Sequence, residues 1–289
     1  MRFGIYMPNF GYFGDARTIA NLARDAEQAG WDGFFMWDHI ILGPWVGTGL
    51  SYVDPWVALS AAAMQTERIQ LGALITPLPR RRPWKVARET VSLDRLSDGR
   101  LIFGVGIGIG PDEWDNLGEE TDLKIRGAML DEGLDVLTGL WTGEPFSHDG
   151  QFYHVAESTF LPKPTQQPRI PVWVAAFSMN KAPLRRAARW DGLFPLATDD
   201  SKEFEQLRWM VDYTLEQRTS SDPFDIVYIG QSKISDNPTV AADIAGQIQD
   251  IGFTWWLENL STRREGAEHA HEWTYERLHE RVMQGPPKL

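Results

Sequence analysis

Short apolar runs alternate with longer amphipathic ones along this chain, and the alternation sets the expected elements. Residues 2–7 and 33–37 read as buried strands. Between them Ile19, Leu22, Ala23, Ala26 and Ala29 recur at helical spacing, and Gly30 is placed to end that helix. Asp54-Pro55 opens a helix over 56–66. Residues 69–75 predict a third strand, followed by a helix over 83–96. Residues 101–105 predict a fourth, and Ile125, Met129, Leu130, Leu134, Leu137 and Trp141 mark a long amphipathic helix after it.

The rhythm then breaks. Residues 145–153 alternate around Asp149-Gly150, a hairpin signal, and a link through Pro162, Pro164, Pro168 and Pro171 carries the chain back. The segment of about 142–170 reads as an insertion after the fourth helix, inside a single domain over 1–289. Strands at 171–176, 192–195, 226–230 and 253–257 follow. Their helices are expected at 184–189, 204–218, 240–251 and 265–283. Eight strand–helix steps point to an α/β fold, a closed (β/α)8 TIM barrel, with strand ends sharing one face.

The candidate chemistry gathers at those ends. The fourth strand runs into glycines at 104, 106, 108 and 110, a low-bulk exit that lets a flat ligand approach the main chain, and then into Asp112-Glu113-Trp114-Asp115. Asp38 and His39 end the second strand. Either Asp38 caps the loop with His39 packed beneath it, or the imidazole handles a proton above a ligand. Thr76 starts a turn or faces the same site, and Arg80-Arg81-Arg82 is a solvated face or attracts an anion. Glu113 is a general base, a charge at a helix start or an arginine's partner, with the structural roles favoured. Ala175-Ala176-Phe177-Ser178 leaves the fifth strand toward a helix holding Lys181, Arg185 and Arg186, an arrangement suited to a phosphate. His39 has no partner at metal-ligand spacing, so no metal is expected.

Composition narrows the partners. A net charge of -12 argues against nucleic acid and anionic membrane surfaces. The absence of cysteine removes disulfides and thiolate chemistry, and agrees with a cytoplasmic location. No apolar run reaches about 18 residues, the length of a membrane span, and the first residues read as a strand rather than a secretory signal. The 13 tryptophans are many for this length, and packing in the core and at an interface accounts for most of them.

Several stretches, in order and spacing, resemble the bacterial luciferase-like family: GIYMPNFG, AEQAGWDGFFMWDH, LGALITPLPRRRPWKVARETVSLDRLSDGRLIFGVGIG, DEGLDVLTGLWTGEPFSHDGQFYHV, PKPTQQPRIPVWVAA and LRRAARWDGLFP. They cover about residues 1–196. The resemblance implies a barrel with this insertion, often a homodimer, that binds FMN or the deazaflavin coenzyme F420 across its strand ends. An apolar, Trp-bearing surface on the early helices fits such a dimer.

It further implies that Asp38, His39 and Thr76 line the ring pocket with Gly106 and Ile107, and that Ala175, Ala176, Phe177 and Ser178 form the phosphate turn. A non-prolyl cis peptide is expected at Ala73-Leu74. His39 is the implied proton carrier and Trp45 an aromatic group over the reacting centre. Where the family's sugar-phosphate dehydrogenases carry a proton-donating glutamate, this chain has Ile109, which disfavours that substrate class.

The expected function is hydride transfer to or from a small organic substrate with coenzyme F420. FMNH2-dependent monooxygenation, served by a separate reductase, is the nearest alternative. A non-catalytic flavin-binding protein and a glycoside hydrolase are readings from other classes; the hydrolase lacks an opposed carboxylate pair.

Overall fold

A computed structural model describes residues 1–42, 49–198, 200–230, 238–261 and 274–287. The strands in chain order are β1 (Arg2–Met7), β2 (Gly33–Met36), β3 (Gln70–Ala73), β4 (Thr76–Pro77), β5 (Phe103–Gly106), β6 (Pro145–Asp149), β7 (His154–Thr159), β8 (Val172–Phe177), β9 (Gly192–Leu196), β10 (Asp225–Gly230) and β11 (Trp255–Asn259). Nine of them form one sheet in the order β3-β2-β1-β11-β10-β9-β8-β5-β4. Its two edge strands are halves of one interrupted strand. The Leu71 N–H donates to Arg100 O at 2.9 Å and Leu71 O accepts from the Ile102 N–H at 2.8 Å, which joins β3 to the approach to β5 and closes the cylinder. With β3 and β4 sharing one position, nine strands fill eight places, and the barrel expected from the sequence is observed.

The helices are α1 (Ala16–Gln28), α2 (Pro55–Ala63), α3 (Pro83–Leu96), α4 (Asp112–Asp115), α5 (Leu123–Trp141), α6 (Lys181–Ala187), α7 (Glu203–Gln217), α8 (Pro238–Ile251) and α9 (Tyr275–Met283). Side chains at Asp15, Asp54, Asp122, Asn180 and Thr274 accept first-turn amides and start five of them. No helix among the described residues is long and apolar enough to cross a membrane.

Period-two alternation divides the sheet. Phe35, Leu74, Trp173, Phe194 and Trp255 point inward and fill the barrel with aromatic rings. Phe34, Ala73, Phe103, Val174 and Ala176 point outward against the helices. Glycine makes room inside. A Cβ at Gly33 would lie 2.4 Å from Phe35 and 2.8 Å from Trp255, and one at Gly192 would lie 2.4 Å from Trp173.

Three features differ from the sequence reading. The third strand is cut at Leu74-Ile75, where the non-prolyl cis peptide lies, one bond later than the expected Ala73-Leu74. The ladder to β2 sets the place: the Leu74 N–H still donates to Met36 O at 2.7 Å, so the chain departs only after it. The hairpin's return strand begins at His154, beyond the expected 145–153. The last helix is seen from Tyr275, and 265–273 lies outside the described residues. Finally, two carboxylates that pattern alone leaves unassigned peg the insertion. Asp94 accepts the Thr165 and Gln166 amides and the Gln166 side chain, while Glu132 accepts the amides of Gln151, Phe152 and Tyr153.

Candidate active site

The C-terminal strand ends surround a cavity of about 990 Å³. Such a volume is at the upper end for small-molecule and cofactor pockets, which run to about 1,000 Å³. Tyr6, Trp37 and Phe194 give it an aromatic floor, with Tyr6 5.7 Å from Trp37 and 5.8 Å from Phe194 between ring centroids. Burial pushes the Tyr6 phenol up, so it stays protonated. The glycine-rich exit of β5 forms one wall through Gly106–Gly110. Gly108 there has φ +79°, and a Cβ on it would meet the Trp114 ring at 2.3 Å, so only glycine fits.

His39, after β2, lines the same cavity and is held through its backbone and its ring. Asn9 holds its backbone, donating from Nδ2 to His39 O at 2.8 Å and accepting the His39 N–H at 3.2 Å. Trp37 meets the imidazole edge-on at 5.8 Å. Nδ1 lies 3.2 Å from Glu113 Oε2. Glu113, delivered by α4 and fully buried, also accepts the Ile40 N–H at 2.5 Å and the Ile41 N–H at 3.2 Å. Arg80 Nη1 lies 2.7 Å from Oε2, an ion pair rather than an aligned hydrogen bond.

Beneath it, Arg81 Nη2 donates to Asp38 Oδ1 at 2.7 Å and Oδ2 at 2.8 Å, and Arg80 Nη2 donates to Asp38 O at 3.1 Å. Two carboxylates and two guanidiniums thus neutralise one another under the imidazole. Burial lowers the Arg81 guanidinium, but the Asp38 charge and hydrogen bond outweigh it and hold the pKa raised.

A model of the luciferase-like monooxygenase family matches residues 1–286. The chain belongs to that family. It is 32% identical over 178 residues to an uncharacterised protein of Mycobacterium tuberculosis, covering 62% of this chain and 59% of that one. It is 31% identical over 215 residues to the F420-dependent glucose-6-phosphate dehydrogenase of Beutenbergia cavernae, covering 68% and 62%. The match therefore spans about three-fifths of the length of these curated relatives.

Among solved structures it resembles an F420-dependent secondary alcohol dehydrogenase held with an F420–acetone adduct, at TM-score 0.74 and 17% identity over 89% of this chain and 92% of that one. The coenzyme F420-dependent tetrahydromethanopterin reductase of Methanopyrus kandleri gives 0.73 and 16% over 98% and 96%. The long-chain alkane monooxygenase LadA gives 0.66 and 16% over 98% and 78%. At such identities these likenesses are of fold.

Within this luciferase-like barrel, Asp38, His39, Leu74, Gly106, Ile107, Ala175, Phe177 and Ser178 line the cavity. Ala73 and Ala176 do not, because alternation turns them to the helix layer, and Thr76 is buried away from it. The Asp38 carboxylate is committed to Arg81, so it supports the wall rather than offering a free acceptor. Trp45 lies outside the described residues. Arg80 and Arg81 are committed to the carboxylate network, not poised for an anionic ligand.

Arg186 is likewise engaged, its Nε and Nη2 on the two oxygens of Asp131 at 2.7 and 2.8 Å. Lys181 lies 5.2 Å over the Tyr213 ring and Arg185 donates to the Tyr213 hydroxyl at 3.3 Å. Of the cavity's arginines, Arg126 is different. It is 5% exposed and stacks 3.9 Å over Trp114, and its Nε and Nη1 have no hydrogen-bond partner among the described residues. Periodicity marked α5 as amphipathic but gave no sign that Arg126 reaches the cavity.

Burial pushes the Glu113 carboxyl up, but His39, Arg80 and the Ile40 amide outweigh it and hold the pKa below the ordinary 4.5. A depressed carboxyl contributes stability that is present above the unfolded value and is lost as pH falls through the native one. Urea unfolding of the wild type and Glu113→Gln from pH 7 to 3 is expected to show a constant gap at neutral pH that narrows below 4.5. A gap independent of pH would contradict this.

Proposed function

We propose that this luciferase-like protein is an oxidoreductase that carries a flavin-type ring, coenzyme F420 in preference to FMN, and exchanges a hydride with a small organic substrate. The observation that carries the reading is His39, set in the cavity wall with Nδ1 on a carboxylate and its ring against Trp37 of the aromatic floor. When bound, the cofactor ring accepts or returns the hydride. The protein's part is to place the substrate oxygen near His39. In the oxidising direction an alcohol gives its hydroxyl proton to the imidazole as its carbon-bound hydrogen leaves as hydride; in reduction the imidazolium returns the proton to the carbonyl oxygen.

The residues fit such a cofactor. Both FMN and coenzyme F420 bear a phosphate, and Arg126 is a buried guanidinium with unfilled donors in the cavity wall. The turn after β8 faces the same space through Ala175, Phe177 and Ser178, although the Ser178 N–H already donates to Leu196 O at 3.0 Å. Arg126 and this turn would hold the phosphate. The preference for the deazaflavin rests on the PNFG, WDH and TPLPRRRPW segments. Ile109, half exposed in the cavity wall, supplies no second acid and argues against a sugar phosphate.

Titrating the apoprotein side by side with coenzyme F420, FMN and riboflavin tests the reading. Selective binding of F420 is expected; selective binding of FMN would move it to a two-component monooxygenase, and binding of none would end it. Arg126→Gln is expected to weaken the phosphate-bearing ligand about 10- to 100-fold, the worth of a hydrogen bond to a charged group, and leave its phosphate-free counterpart unchanged. Equal weakening of both would remove Arg126 from the phosphate site.

A further inference from the structure

We propose that Glu113, clamped by Arg80, is a positioning residue that fixes the tautomer of His39, keeping the proton on Nδ1 and leaving Nε2 as the proton acceptor toward the cavity. The inference rests on reading His39 as the proton carrier, and it assigns the group that makes the imidazole a base.

The argument is one of donor accounting. A neutral imidazole has one N–H and one bare nitrogen, and the partner of one nitrogen decides the role of the other. Glu113 Oε1 is taken by the amides of Ile40 and Ile41. Oε2 faces Arg80 Nη1 at 2.7 Å and His39 Nδ1 at 3.2 Å. Every other group around this carboxylate is a donor, so it is held as an acceptor. His39 must then present an N–H to it, and the lone pair falls on Nε2.

The clamp is rigid. Glu113 has no solvent exposure, and its backbone belongs to α4, at the end of the glycine-rich exit. The charged groups around His39 are Glu113 from α4, Arg80 and Arg81 from the turn after β4, and Asp38 from its own strand end. Arg80 has a second effect. Its guanidinium, 2.7 Å from Oε2, favours the ionised carboxylate and so keeps Glu113 an acceptor.

Substitutions on the two sides of the clamp should therefore act differently. In Glu113→Gln the amides of Ile40 and Ile41 still require the oxygen, so the side-chain NH2 turns to His39. Nδ1 becomes the acceptor and the proton moves to Nε2. In Arg80→Met the carboxylate still faces Nδ1 as an acceptor, so the tautomer is kept.

The test is nitrogen-15 NMR of the full chain with labelled histidine, assigned through a His39→Gln control and paired with the pH profile of kcat/KM. In the wild type Nδ1 is expected to be protonated and Nε2 bare. Glu113→Gln should exchange the two nitrogens and lower turnover at least tenfold, with cofactor affinity within threefold, about 0.7 kcal/mol. Arg80→Met, which leaves the carboxylate in place, should keep Nδ1 protonated and Nε2 bare. A wild-type ring protonated on Nε2, or a Glu113→Gln protein that loses turnover with its tautomer unchanged, overturns the proposal. The wild-type spectrum decides this even if both variants misfold. It also separates two failures: a ring in the expected tautomer in a protein that binds neither flavin nor deazaflavin keeps the inference about the imidazole and discards the cofactor reading.

Discussion

His39→Ala is expected to lower turnover by about two to four orders of magnitude, the usual contribution of a positioned acid–base group, while cofactor affinity stays within about threefold. The asymmetry follows from the geometry. The ring's binding surface comes from Tyr6, Trp37 and Phe194 and from the β5 exit, none of which depends on the imidazole. Removing it leaves Glu113 on two backbone amides and Arg80, so no buried charge is stranded. Single-turnover kinetics at saturating cofactor and substrate, with cofactor affinity read by fluorescence, checks both halves. Unchanged turnover would remove His39 from proton transfer.

The largest effect on stability is expected at Asp38. Its carboxylate is buried and receives both donor contacts from Arg81, with Arg80 3.5 Å from Oδ1. Asp38→Ala strands buried positive charge and should cost about 3–5 kcal/mol, as breaking one side of a buried pair does. An exposed pair on a helix, such as Lys85 with Glu89 on α3, would lose only about 0.3–0.5 kcal/mol when cut. Urea unfolding with parallel circular dichroism and fluorescence measures the difference. A loss under about 1 kcal/mol would mean that Arg81 finds water instead, and Asp38 would return as a candidate ligand. Asp38→Asn should fall between, since it keeps the acceptor and drops the charge.

The barrel was readable because each of its strands is a short apolar run followed by a 3.6-residue period, and such patterns are local. The insertion was readable from Asp149-Gly150 for the same reason. The site was half readable. Strand-end position placed His39, Gly106, Ile107 and Ala175 on the cavity, but one-residue alternation decided against Ala73 and Ala176, and a register shift of a single bond moved the cis peptide.

The charged residues were least legible. Arg80 and Glu113 are far apart in sequence, as are Asp131 and Arg186, and local pattern carries no sign of which charge meets which. Arg126 was invisible for the opposite reason: among cavity arginines, it stands out by what it lacks.

The order of strands around the cylinder also has a consequence for how the chain is made. β1 pairs with β2 on one side and with β11 on the other, through Arg2 with Trp255 up to Tyr6 with Asn259. During synthesis β1 therefore waits for β11 before that edge is paired. At about 5–20 residues per second, the 250 or so intervening residues take on the order of ten to fifty seconds. During that time one edge of an apolar strand is open to any other chain that offers a matching edge. That open edge is a route to pairing between neighbouring chains on one polysome, and slower initiation, which spaces the chains apart, should raise the soluble fraction.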